Sequence, residues 1–125
     1  MLFRSQPGVS AKATRTVDVT MNDTMRFSPD AIPVKAGDTI RFQVRNAGMI
    51  EHEMVIGTTA ELKEHAKMMR EMAGEKHAAT NKLTLAPGAQ GTLVWRFEKP
   101  GTVDFACLVP GHFEAGMVGK VVVRK

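Results

Sequence analysis

Cys107, His112 and Met117 follow one another at five-residue intervals in the stretch Cys107-Leu-Val-Pro-Gly-His112-Phe-Glu-Ala-Gly-Met117. A thiolate, an imidazole and a thioether make a soft donor set of sulfur with nitrogen. That set suits copper, which moves between Cu(I) and Cu(II). An apolar run ends near Phe105 and another opens at Val118, with a turn at Pro110-Gly111 between them. The stretch therefore reads as a tight loop between two strands, able to aim three side chains at one point. A type 1 copper site needs two histidines, a cysteine and a weakly bound methionine. His52 is placed to be the second histidine, because it opens the run Glu53 to Ile56 directly after Gly48-Met49-Ile50. His65 and His77 lie in or beside a helical segment, away from any strand end. Taken singly, Cys107 reads as a small buried hydrophobe, His112 as a turn residue and Met117 as core filler. The spacing and the strand–loop–strand setting favour the metal.

The elements that must hold these residues are mostly strands. Val17 and Val19 alternate with polar neighbours, and Ile40, Phe42 and Val44 alternate with Arg41, Gln43 and Arg45. This is the period of a half-buried strand. Phe27-Ser28-Pro29 interrupts one run, Ile32 to Lys35 resumes it, and Ala36-Gly37-Asp38 turns the chain. Further strands are predicted at Lys82 to Leu85, Gly91 to Phe97, Val103 to Ala106 and Val118 to Val123. Trp95, between Val94 and Phe97, reads as a core ring. About seven or eight strands with regular turn signals predict an all-β Greek-key sandwich. One helix is predicted over 59–78, with Thr59 as its cap, Glu61 and Glu64 in its first turn and Gly74 as its stop. Residues 1–13 are polar and aperiodic and read as a loose arm, leaving 14–125 as the domain.

Composition bounds the rest. The chain has 125 residues, 43% of them apolar, enough for one domain with one core. Its net charge of +4 comes from scattered basic residues, which argues against nucleic acid as a partner. No apolar run approaches the roughly 20 residues of a membrane span. The single cysteine excludes an internal disulfide. Met1 to Ala13 lacks the apolar centre of a signal peptide. That fits a cytoplasmic protein, or one whose signal was removed with Met1 restarting the mature chain.

His52 followed much later by Cys-x4-His-x4-Met resembles the cupredoxins. Cys107-Leu-Val-Pro-Gly-His112 with Gly116-Met117-Val118-Gly119 is most similar to the small bacterial plastocyanin-like and copper-tolerance members. The resemblance covers Val17 to Val123, with the arm and the helix outside the minimal pattern. It implies that His52 and His112 bind one copper equatorially with the Cys107 thiolate, and that Met117 binds axially. It also implies a periplasmic monomer whose redox partner docks on an apolar patch at the second histidine. Met49, Met54, Pro110 and Phe113 are the candidates for that patch near His112. Two features depart from the azurins. Glu51 stands where they have a glycine before the first histidine, which speaks against a fifth ligand, and their disulfide cannot form here.

The resemblance implies one-electron carriage, and four protein ligands leave no open position for catalysis. The rival is a copper-tolerance protein that sequesters or handles copper, favoured by nine methionines and by the helix. His65, Met69 and Met72 share a helix face, near Met68 and His77. That face reads as packing on the sandwich, as a second Cu(I) site, or as a docking surface. Glu51 and Glu53 flank His52 and read as rim residues or hydrogen-bond partners rather than an acid–base pair.

Overall fold

Alternation along the chain becomes two stacked sheets in the computed structural model, which describes residues 5–8, 12–71, 81–109 and 111–125. The elements are β1 (Ser5–Pro7), β2 (Arg15–Asn22), β3 (Arg26–Ser28), β4 (Ala31–Lys35), β5 (Asp38–Asn46), β6 (His52–Gly57), α1 (Thr59–Glu71), β7 (Lys82–Leu85), β8 (Gln90–Phe97), β9 (Gly101–Ala106) and β10 (Val118–Arg124). One sheet runs β1-β8-β5-β2-β3 and the other β4-β10-β9-β6-β7. The sandwich with one inserted helix is as expected. The described residues form ten strands rather than seven or eight. The additions are short: β3 lies beyond the turn after β2, and β1 falls in the expected arm. Residues 5–7 pair with Trp95 to Phe97 of β8, and the Gly8 N–H donates to the Val94 carbonyl at 3.1 Å. Backbone pairing at an open sheet edge needs no apolar pattern, so β1 leaves little trace in the side chains.

Each sheet contains one parallel pair, β2 with β5 and β4 with β10. Inward residues of both sheets meet in one core. Val19, Met21, Ile40, Phe42, Val44, Leu93, Trp95 and Phe97 face Ile32, Val34, Met54, Ile56, Val103, Phe105, Val121 and Val123. Phe27 and Phe105 meet edge to face across the sheets at 4.9 Å, a contact worth about 1 kcal/mol beyond its area.

α1 closes the outer face of the second sheet. Leu62 and Ala66, one turn apart, are buried against Val55, Ala106 and Leu108. The helix is capped by Thr58, not Thr59: the Glu61 N–H donates to Thr58 Oγ1 at 3.2 Å, while the Thr58 N–H donates to Glu61 Oε1 at 3.0 Å. This reciprocal box needs Thr and Glu three residues apart, which only Thr58 satisfies. The helix expected to 78 is described to Glu71, and the expected stop at Gly74 lies outside the described residues. Because α1 covers it, β6 is buried on both faces from His52 to Ile56.

Candidate metal centre

The ends of β2, β5, β6, β9 and β10 gather at one end of the sandwich. In the register of β9, Ala106 lies opposite Val55 of β6 and Val118 of β10. Cys107, one residue further, thereby reaches the start of β6, where the Glu53 N–H donates to Cys107 Sγ at 3.3 Å. The loop that follows is wound on itself. His112 N–H donates to the Val109 carbonyl, Ala115 N–H to that of Gly111 and Gly116 N–H to that of Phe113. Gly111 and Gly116 take φ of 90° and 95°, left-handed conformations that a side chain would strain. The Met117 N–H donates to the His112 carbonyl and the Cys107 N–H to the Met117 carbonyl, which closes the loop on its own ends.

This brings one ligand atom from each of His52, Cys107 and His112 within 4.8 Å of the others. His112 Nδ1 lies 3.3 Å from Cys107 Sγ, and the rings of His52 and His112 are 4.9 Å apart. His52, Cys107 and Met117 are inaccessible to solvent, and His112 is nearly so. Burial pushes the Cys107 thiol up to about 11. Burial, and then the neighbouring His52, hold His112 below the usual imidazole range. A neutral thiol and a neutral imidazole lie side by side, and a cation seated there would displace the thiol proton.

His52 Nε2 lies 2.8 Å from Asp23 Oδ1. An ionised carboxylate only accepts, so Nε2 carries a proton, and in the neutral ring Nδ1 keeps its lone pair. That Nδ1 is buried and makes no hydrogen bond. A buried, unpartnered nitrogen beside a thiol and a second imidazole is what a metal ion completes. The donor set suits copper.

Two partners of the site were not foreseen from the sequence. Asp23 sits in the turn between β2 and β3, remote in sequence, and no spacing ties it to His52. Asn46 is fully buried and gathers the loop that leads to His52. Its Nδ2 donates to the carbonyls of Ile50 and Leu85, and its Oδ1 accepts the Gly48 N–H. Glu53 is buried rather than at the rim. Its Oε1 accepts the Leu108 N–H, and its Oε2 accepts the Thr84 hydroxyl and faces Lys82 Nζ at 3.5 Å. Met54 points into the core and leaves the proposed surface patch, because residues 52, 54 and 56 share the inner face. Met49 is 83% exposed, as the patch requires. Phe113 is half-buried against the α1 cluster, and Pro110 lies outside the described residues. So do Met72, His77 and the side chains of His65, Met68 and Met69, which carried the idea of a second copper site.

The profile of copper binding proteins of the plastocyanin/azurin family matches residues 13–124. The chain belongs to that family. This cupredoxin is 59% identical over 119 residues to the copper-resistant cuproprotein CopI of Rubrivivax gelatinosus, covering 95% of the chain and 72% of that protein. It is 38% identical over 117 residues to CopI of Vibrio cholerae, covering 92% and 69%. Among solved structures it resembles auracyanin B with a TM-score of 0.77 at 21% identity, covering 97% of this chain and 96% of that one. It also resembles the auracyanin of Roseiflexus castenholzii with a TM-score of 0.75 at 23% identity, covering 90% and 99%. At such identities these neighbours speak for the fold. The cupredoxin has copper as its metal, with His52, Cys107 and His112 positioned to hold one ion. Among the described residues, no helix is long and apolar enough to cross a membrane.

Proposed function

We propose that the protein serves copper resistance, holding one type 1 copper that exchanges single electrons with a partner. The 59% identity to a copper-resistant cuproprotein across 95% of the chain carries this reading. When bound, copper supplies a Cu(II)/Cu(I) couple. The chain supplies a dry, pre-formed set of donors, with the loop from Cys107 to Met117 closed by its own backbone bonds. Met117 is the fourth ligand. Its side chain is inaccessible to solvent, and its backbone is bonded to both Cys107 and His112. Four protein ligands leave no place for a substrate, so the protein is not an enzyme. A Cu(II)-capable site suits a compartment less reducing than the cytoplasm, which favours the periplasm.

A deletion strain tests the role. Growth that becomes sensitive to copper while respiration stays normal is the expected result. A respiratory or photosynthetic defect without copper sensitivity would instead favour the second reading, a carrier between larger redox proteins. That reading rests on the closed ligand set.

The partner docks near His112 and Phe113, on the surface that continues to Met49 and Ile50. Met49 and Ile50 are exposed large apolar side chains at this end of the sandwich. Because Phe113 also packs against α1, the clean probe is Met49→Glu. Electron self-exchange between two copies, followed by NMR line broadening, is expected to slow at least about tenfold as like charges meet. The visible spectrum should not change. An unaltered rate would take Met49 out of the docking surface.

A further inference from the structure

His52 is held from behind by a carboxylate that belongs to the opposite sheet. Asp23 leaves the β2–β3 turn of the first sheet, while His52 opens β6 of the second. Asp23 Oδ1 lies 2.8 Å from His52 Nε2, and Asp23 Oδ2 accepts the Met49 N–H at 2.7 Å. Both oxygens are thus committed, one to the ligand ring and one to the loop that carries it. The loop is shaped for this contact. A Cβ built on Gly48 would stand 2.0 Å from Asp23 Oδ1, so only glycine lets the carboxylate approach. The Met49 amide, and then His52, hold the Asp23 carboxyl below its usual range. On the far side of the same imidazole, Nδ1 is buried and without a partner.

We propose that Asp23 is a positioning residue that fixes His52 as the Nε2–H tautomer and, through its charge, biases the centre toward Cu(II). The inference rests on the copper reading given above. One ring nitrogen cannot both donate to Asp23 and bind the metal, so the Asp23 bond decides which nitrogen faces the site. The negative charge stands one imidazole ring away from the ligating atom. The Asp23 side chain is itself 38% exposed, but His52 and Cys107 of the centre are inaccessible to solvent. An anion there attracts a doubly charged ion more than a singly charged one, and it makes the imidazole a stronger donor. The bias therefore lowers the reduction potential and slows loss of the oxidised ion.

Asp23→Asn keeps an oxygen that can accept from Nε2 and removes the charge. Loss of a partner behind a ligating histidine typically costs about 10–100-fold in metal affinity. The loss is expected chiefly for Cu(II). A tenfold change in the Cu(II)-to-Cu(I) affinity ratio raises the potential by about 59 mV. Spectroelectrochemistry of the copper protein reads this shift. Competition with a chelator of known affinity reads the two affinities separately. A purely structural Asp23 would lower the melting temperature of the variant and leave the potential in place. That outcome, with an intense thiolate-to-copper band in the parent protein, overturns the proposal and spares the copper reading. Absence of the band in the parent overturns the copper reading itself. The positioning half is then decided on the apo-protein by imidazole 15N NMR. His52 is expected as the Nε2–H tautomer in the parent and as a mixture in Asp23→Ala. A parent protein with the proton on Nδ1 overturns it.

Discussion

Cys107→Ser is expected to abolish the intense visible band that Cu(II) should induce in the parent protein. That band is expected to saturate at one copper per chain, because it arises from charge transfer between the thiolate and the metal. A hydroxyl in place of Cys107 Sγ can still accept the Glu53 N–H, which now reaches sulfur at 3.3 Å. The fold therefore survives while the soft donor is gone. Titration of the apo-protein with Cu(II), watched by absorption, checks this directly. A second readout is thermal. A ligand present at a hundred times its dissociation constant stabilises the folded state by about 2.7 kcal/mol. For a domain of this size that is an upshift on the order of 10 °C, and Cys107→Ser should lose most of it. Retention of the full band in Cys107→Ser would dismiss Cys107 as a ligand. Saturation beyond one copper would require a further site on this chain.

Glu53→Ala is expected to destabilise the protein by about 3–5 kcal/mol, the usual consequence of removing one partner from a buried charged network. The Glu53 side chain is 3% exposed, that of Lys82 15%, and the carboxylate serves three donors at once. Without it, the buried Leu108 N–H loses its acceptor, the Thr84 hydroxyl loses a partner and Lys82 loses its counter-charge. Glu53→Gln keeps one acceptor for Leu108 and is expected to lose only about half as much. Urea unfolding of the apo-protein, compared at the midpoint, separates the two variants. The same network reaches the metal centre, because the backbone of residue 53 holds Cys107 Sγ while its side chain holds the next amide after Cys107. Copper bound to Glu53→Gln should show a displaced charge-transfer band. An unshifted band with reduced stability would confine Glu53 to the sheet.

Asp23 and Glu53 support the centre in complementary ways. One fixes a histidine from the outer turn, and the other fixes the cysteine from under the helix. Neither is recognisable from the residues around it. Asp23 belongs to an ordinary polar turn, Asn22-Asp23-Thr24, whose meaning depends on the loop 47–51 folding down upon it. Glu53 reads as a rim residue or as a hydrogen-bond partner of a neighbour, and the second is what the fold shows, with Leu108 and Thr84 as the partners no spacing names. In the fold the position is buried, with its carboxylate held by the Leu108 amide after Cys107 and by Thr84 and Lys82 of β7.

The sequence alone determined the sandwich, the helix and the candidate ligands His52, Cys107, His112 and Met117, of which the fold gathers His52, Cys107 and His112 around one point. Each depends on short-range pattern: period-two alternation in β2, β5 and β8, good helix formers after Thr58, and a thiolate, an imidazole and a thioether at fixed spacing. The loop between β9 and β10, closed by its own backbone bonds, brings Cys107 Sγ and His112 Nδ1 to 3.3 Å. The helix cap expected at Thr59 and the place of Met54 in the surface patch both fail, although the Thr58-x-x-Glu61 box and the inward direction of Met54 follow from spacing within one element. Tertiary structure alone decided the two parallel pairings, the edge strand β1 and the burial of Glu53. It also decided which nitrogen of His52 is free, because that nitrogen is chosen by Asp23, twenty-nine residues away and in the other sheet. A backbone pairing, a covering helix and a carboxylate across a sandwich are contacts between distant segments. No local periodicity encodes them, and they exist only once the two sheets have closed on a common core.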